Sequence, residues 1–294
     1  MPVTTLHYVN RETGQQETEV IYGEAELRFL YGGLPGRLAR RFVTQPWFSR
    51  INAIPKRYFS GAKAIQQFAQ RYEINVDEAE KPIDHYATLD DFFCRKLKLG
   101  VRAIAENPDA LVSPADGRVL VYPLLQGQTL QVKQQQVSVV ELLGSAEAAE
   151  EVSGGSAAVV RLAPKDYHRF HFPVAGKAAA VRSISGRLES VHPIALDAGA
   201  PSFVNKRAIT RIDTDLFGPV YMVDVGALTV GTIVQTYRPG IVSKGQEKGY
   251  FRFGGSTVVI LWSKKGPRFD QDLIDNSAAQ LETLVKYGTQ IASL

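Results

Sequence analysis

The sequence predicts an α+β fold, with a mainly helical region over residues 1–100 followed by an antiparallel, barrel-like β domain over residues 101–294. Three observations lead there. Leu27, Leu30, Tyr31, Leu34, Leu38 and Phe42 recur at helical spacing. Beyond residue 100, Gly, Pro and Asp separate short β-branched runs at 118–122, 129–132, 157–162, 178–184, 220–225, 230–237 and 257–262. The chain has 294 residues, 45% of them hydrophobic, enough to bury a substantial core and to exclude wholesale disorder.

Taken in order, the N-terminal MPVTTLHYVNRETG has no apolar signal core, and no apolar run approaches the roughly 18 residues of a spanning helix. A cytoplasmic protein is the default. Gly32, Gly33 and Pro35 interrupt the apolar stripe, which predicts two short helices, the second with Pro35 in its first turn. Residues 60–72 read as a further helix. Thr88 caps a short one through Asp90, Asp91, Phe92 and Phe93. Cys94, within it, reads as a packed small residue. As the sole cysteine it excludes an intramolecular disulfide and a multi-cysteine zinc site. Residues 137–143 suit one or two helical turns, and 270–294 suit either a helix or a closing strand.

Charge distribution is more informative than the net +4, which is too small to argue for nucleic acid. Residues 27–59 hold seven basic side chains and no acidic one: Arg28, Arg37, Arg40, Arg41, Arg50, Lys56 and Arg57. Phe29, Tyr31, Phe42, Trp47, Phe48, Tyr58 and Phe59 lie among them. Basic residues opposite an apolar, aromatic face suit an anionic membrane surface. The same pattern also suits a core-packed helix with solvated arginines.

Three short motifs could carry chemistry. Ser113-Pro114-Ala115-Asp116-Gly117-Arg118-Val119 reads as a turn before a strand, or as a carboxylate placed to orient a histidine. Asp166-Tyr167-His168-Arg169-Phe170-His171-Phe172-Pro173 holds two of the five histidines. In an extended segment, residues three apart point to opposite faces, so one histidine faces a given centre. No further ligands accompany them as a metal cluster would require. Phe253-Gly254-Gly255-Ser256-Thr257-Val258 is a tight turn entering a buried strand, and Ser153-Gly154-Gly155-Ser156 has the same form. A serine after glycine has one further option. Its hydroxyl can attack the unhindered preceding carbonyl if a base takes its proton.

In combination these motifs resemble the phosphatidylserine decarboxylase family. The likeness runs over nearly the whole chain, through HYVNRETGQQETEVIYGEAELRFLYG, YATLDDFFCRKLKLGVR, SPADGRV, DYHRFHFPV, Asn205-Lys206-Arg207, VGALTVGTI and KGQEKGYFRFGGSTVVILW. It implies a self-cleaving proenzyme in which Asp116, His171 and Ser256 form a relay. His171 takes the Ser256 proton, Asp116 orients the imidazole, and Ser256 attacks the Gly255 carbonyl. β-Elimination of the ester and hydrolysis leave a pyruvoyl group at position 256 and release ammonia. A large chain, 1–255, stays associated with a small chain, 256–294. The pyruvoyl group, the implied cofactor, forms a Schiff base with the substrate amine and accepts the electrons freed as carbon dioxide leaves. His168, or His171 in a second role, is the implied proton donor, and no metal is implied.

The likeness also gives the basic N-terminal helices a purpose. It implies peripheral attachment at the cytoplasmic side of the cell membrane, where phosphatidylserine is met through Arg37, Arg40, Arg41, Trp47 and Phe48. Nucleic acid is not an implied partner, and self-association stays open. The chain departs from the family pattern at Ala103, where proline is frequent, at Gly254, where leucine is common, and at His192, where asparagine is usual. A decarboxylase of a soluble amino acid would share the motifs, and a non-enzymatic β-barrel binding module would use them as turns.

Overall fold

The structure, a computed structural model, describes residues 6–19, 21, 23–55, 61–124, 129–132, 135–228, 232–253 and 256–294. The chain opens with a hairpin, β1 (His7–Asn10) and β2 (Gln16–Thr18), which the helical expectation for residues 1–100 did not include. Helices follow: α1 (Glu24–Gly32), α2 (Leu34–Val43), α3 (Pro46–Ile54), α4 (Ala62–Arg71) and α5 (Leu89–Phe93). Pro35 sits in the first turn of α2, where its missing N–H costs nothing. The Thr88 hydroxyl caps α5 by accepting from the Asp91 N–H at 3.2 Å. Cys94 ends that helix, and burial pushes its thiol up to about 12, so it is an inert packed residue.

The remainder is β-rich. Its strands are β3 (Ala110–Val112), β4 (Gly117–Pro123), β5 (Thr129–Val132), β6 (Gln135–Ser138), β7 (Ser156–Leu162), β8 (Arg169–His171), β9 (Gly176–Ala178) and β10 (Arg182–Ile184). They continue as β11 (Arg207–Thr214), β12 (Gly218–Gly226), β13 (Ile233–Gln235), β14 (Gly240–Val242), β15 (Glu247–Phe251), β16 (Ser256–Trp262), β17 (Arg268–Phe269), β18 (Glu282–Val285) and β19 (Gln290–Ser293). Four helices intervene: α6 (Val139–Leu143), α7 (Ala146–Glu151), α8 (Pro193–Asp197) and α9 (Gln271–Ala278). The ambiguous C-terminal stretch therefore contains both a helix and closing strands.

Eleven strands form one sheet in the order β14-β9-β11-β12-β16-β7-β4-β18-β1-β2, with β10 beside β11. Every pair in it is antiparallel except β1 on β18. Among the described residues the order has two ends and does not return on itself. The expected barrel-like domain is instead an open sheet. All seven residues of its central strand β16 are buried, as in a sheet covered on both faces. Val258, Ile260 and Trp262 face one core with Phe170, Phe172 and Phe251 of β8 and β15. Val259 and Leu261 face the other, with Leu130, Leu142 and Leu143 of β5 and α6. Since β1 pairs with β18, the large sheet draws on the first hundred residues as well as the last.

The helical region splits in two by burial. Leu27, Leu30 and Tyr31 of α1 pack against Ala195 and Ala200 at α8. Leu34, Leu38 and Phe42 of α2 remain 71%, 54% and 64% exposed. The single stripe read from the sequence thus serves two different surfaces. No helix among the described residues is long and apolar enough to cross a membrane.

Candidate active site

The register of the sheet gathers the motifs at one end. Ser256 begins β16 and pairs with Leu162, the last residue of β7, and Gly226, the last of β12. Asp116 immediately precedes β4, whose Arg118 pairs with Arg161 of β7. The chain leaving β7 then runs through Asp166 to His171 above the same end. Gly117 is required by this convergence, because a Cβ there would lie 2.7 Å from the Arg161 carbonyl oxygen. Ser156, the look-alike serine, pairs with Trp262 at the opposite end of β16. Six residues of strand, about 20 Å, separate the two serines.

Ser256 is fully buried, and its hydroxyl has no hydrogen-bond partner among the described residues. A buried, unsatisfied hydroxyl costs roughly 1–3 kcal/mol, so such groups are kept where chemistry uses them. Ser256 shares a face with Val258 and Leu162. Phe170 of β8 and Phe172 just after it enter that same core. The ladder continues backward, with the Phe251 N–H donating to the His168 carbonyl at 2.9 Å. No hydrogen bond joins Ser256 to either histidine among the described residues. Gly254 and Gly255 lie outside the described residues.

Both imidazoles have a defined tautomer, because a carbonyl can only accept. His168 is fully buried and donates from Nδ1 to the Asp166 carbonyl at 2.9 Å. Its ring lies 3.9 Å from that of Phe93. His171 sends Nδ1 toward the Pro114 carbonyl at 3.4 Å and stacks on Tyr287 at 3.9 Å with a 9° interplanar angle. In each ring the basic lone pair is then on Nε2.

Asp116 does not hydrogen-bond to His171 among the described residues, so the Pro114 carbonyl takes the orienting place expected for it. The Asp116 carboxylate instead accepts from Arg102 Nη2 at 2.7 Å and from the Tyr287 N–H at 2.8 Å. Arg102 is anchored in turn by Glu78 at 2.7 Å. Tyr287 thus links the two groups, giving one its backbone N–H and the other its ring. Burial pulls His171 down to about 4, partly opposed by the carboxylates of Glu247 and Asp116. It is neutral at pH 7 and able to accept a proton.

That shift has a stability consequence. Unfolded, His171 takes up a proton near its ordinary 6.5; folded, it resists down to about 4. The unfolded state therefore binds more protons in this window, and stability falls as pH drops from about 6.5 to 4, by up to roughly 3 kcal/mol. Thermal unfolding of uncut Ser256→Ala should lose stability between about pH 7 and pH 5 more steeply than Ser256→Ala/His171→Gln. Parallel curves would show that His171 is not held neutral.

Beside this end of the sheet lies a cavity of about 1090 Å³. Leu162 and Ala227, at or next to the ladder partners of Ser256, line its floor; Leu27, Tyr72 and Arg71 bring the N-terminal helices to its wall. His192 also lines it and caps α8, its Nδ1 accepting from the Ile194 N–H at 3.2 Å. Sequence reasoning missed Arg102, Tyr287, Arg71 and Tyr72. Arg102 ends the YATLDDFFCRKLKLGVR stretch without a role being read for it, the other three stand in none of the motifs, and tertiary contact assigns all four to the site.

The residues expected at a membrane surface line a separate concavity or sit on α2 and α3. Arg37 and Arg41 are exposed, while Arg40 lies over the Tyr31 ring and 3.7 Å from Glu189. Trp47 is 52% exposed, with Phe48 edge-on against it at 5.9 Å. Among the described residues no three His, Cys, Asp or Glu side chains group as a metal site.

Comparison with known proteins agrees with the geometry. Residues 89–293 match the family described as phosphatidylserine decarboxylase. A phosphatidylserine decarboxylase proenzyme of Chlamydia trachomatis serovar L2 is 43% identical over 295 residues, covering 99% of this chain and 98% of that protein. One from Fusobacterium nucleatum is 38% identical over 297 residues, covering 98% and 97%. With a family match over residues 89–293 and identity of this level along nearly the full length, the chain belongs to the phosphatidylserine decarboxylase family.

Proposed function

We propose that this protein decarboxylates phosphatidylserine to phosphatidylethanolamine, as a proenzyme that cuts itself between Gly255 and Ser256. The observation that carries the reading is the buried Ser256 hydroxyl, without a hydrogen-bond partner among the described residues, at the sheet end beside a cavity. His171 is the base for cleavage. It is neutral, and Asp116 and Glu247 favour the positive charge it acquires on taking the Ser256 proton. Ser256 Oγ then bonds to the Gly255 carbonyl carbon and the peptide nitrogen leaves with a proton, giving an ester. Elimination of that ester frees residues 1–255 from residues 256–294.

The buried position of Ser256 fits a pyruvoyl group, which would supply an electron-accepting carbonyl beside the cavity. The chain's own residues do the rest. His168, fully buried, delivers the proton that replaces the departing carboxyl group. The aromatic wall of Phe93 and Phe253 keeps water from that ring. Tyr287, which would fall in the small chain, stacks on His171 of the large one, so both products of the cut build the site. An intact mass spectrum tests the reading. It should show a 39-residue fragment, 256–294, blocked to Edman sequencing. Active protein with one full-length mass overturns it.

Docking at the cytoplasmic face of an anionic membrane completes the proposal. Burying a large apolar side chain is worth about 1.5–3 kcal/mol, which α2 and α3 forgo at Leu34, Leu38, Phe42, Trp47 and Ile51 until an apolar medium covers them. Each basic residue near an anionic surface adds roughly 1 kcal/mol. Changing Arg37, Arg40 and Arg41 together to Gln should weaken vesicle co-sedimentation and activity on bilayer substrate, and should leave self-cleavage unchanged. Added salt should weaken wild-type binding in the same way. Sedimentation indifferent to both salt and substitution would make these helices ordinary core elements.

A further inference from the structure

A second concavity, of about 680 Å³, lies away from Ser256 and is lined by Arg37, Arg40, Arg41, Phe42, Gln45 and Arg187. Four of its six lining residues are arginines. Among the described residues only Arg40 has an acidic neighbour, Glu189 at 3.7 Å. Helix stability accounts for part of this, since cations in the last turn suit the negative end of α2. It does not account for Arg37, a turn earlier, or for Arg187, which arrives from a distant segment.

That segment is held in place by its backbone. The Leu188 N–H donates to the carbonyl of Thr44 at the end of α2 at 2.8 Å, and the Lys206 N–H donates to the Arg187 carbonyl at 3.0 Å. Glu189 accepts from the Tyr31 hydroxyl at 2.8 Å. Arg187 is therefore fixed beside the α2 arginines, and like charges are kept together without a counter-charge for three of them. Such an arrangement is relieved by an anion, and guanidinium forks match phosphate oxygens. The exposed Leu34, Leu38 and Phe42 on the same helix say where that anion comes from, because they suit an apolar layer just beneath a layer of phosphates.

We propose that this pocket binds the phosphate of an anionic lipid other than the molecule being decarboxylated, fixing the enzyme's orientation on the bilayer. The proposal rests on the docking reading above and adds Arg187, which lies outside the amphipathic helices. The test uses the full-length protein and phosphatidylcholine vesicles containing phosphatidylglycerol. Arg187→Gln should bind roughly five-fold more weakly than wild type. Lys265→Gln, which removes the same charge beyond the far end of β16, should bind as wild type does. Arg187→Gln binding normally, or Lys265→Gln losing as much, overturns the pocket.

Self-cleavage on a gel reports whether Arg187→Gln has folded. If it has not, Arg187→Lys replaces it and is expected to bind measurably more weakly than wild type for want of the fork; wild-type affinity overturns the proposal. Normal binding by Arg187→Gln alongside failure of the Arg37/Arg40/Arg41 triple variant would leave docking intact and remove only the pocket. Normal binding by both would remove docking as well. Inorganic phosphate that binds without vesicles as tightly as the vesicles do would overturn the lipid assignment.

Discussion

Ser256→Ala is expected to give a single uncut chain with no decarboxylase activity. Alanine has no hydroxyl to attack Gly255 and cannot become the electron-accepting group. The substitution removes one buried oxygen that has no hydrogen bond among the described residues, so folding should be unharmed or slightly improved. Loss of cleavage would then report chemistry and not collapse of the sheet. Ser156→Ala is the matched control and should cleave normally. Ser156 pairs with Trp262 at the far end of β16, away from Asp116, His168 and His171. Cleavage at Gly155, or normal cleavage in Ser256→Ala, would overturn the assignment.

The histidines should separate by function. His171→Ala and Asp116→Asn are expected to leave mostly uncut chain, since loss of a general base commonly costs about 10² to 10⁴ in rate. His168→Ala should cleave yet lose turnover, because its buried imidazole is the proposed proton donor to the product. Cleavage time courses on a gel and carbon dioxide release from the cut protein measure the two steps apart. Asp116→Asn should be milder than His171→Ala. Asp116 acts on the ring through its charge and through Tyr287, with no direct hydrogen bond to it among the described residues. Normal processing in His171→Ala with failure in His168→Ala would exchange the two roles.

Much of the chemistry was legible before any coordinate. The HRFH segment, the ADG turn and the GGS turn lie in short strings whose residue types limit what they can do, and together they resemble one family. The helix breaks at Gly33 and Pro35 and the Thr88 cap were legible for a local reason: backbone geometry and hydrogen bonding within a few residues decide them. The β1–β2 hairpin was not, because short strands such as β2, with no buried residue, carry no alternating pattern. Closure was not legible either. An apolar run such as β16 reads alike in a barrel wall and in an open sheet covered on both faces.

What the sequence by itself determined is the inventory: a serine after glycine, two histidines at opposite parity, a carboxylate before a strand, and a basic run free of acids. What only the tertiary structure decided is which copies of those features meet. Two Gly-Gly-Ser turns are equal as strings, yet the register of β16 on β7 puts one serine at the end of the ladder nearest Asp116 and the other about 20 Å away. One helical stripe reads as a single face, yet packing against α8 buries Leu27 and Leu30 and leaves Leu38 and Phe42 outside. Tyr287 and Arg187 join their sites from remote segments. The physical reason is common to all of these. Residue type sets what a side chain can do, whereas strand register and burial, which depend on pairings far apart in the chain, set what it can reach.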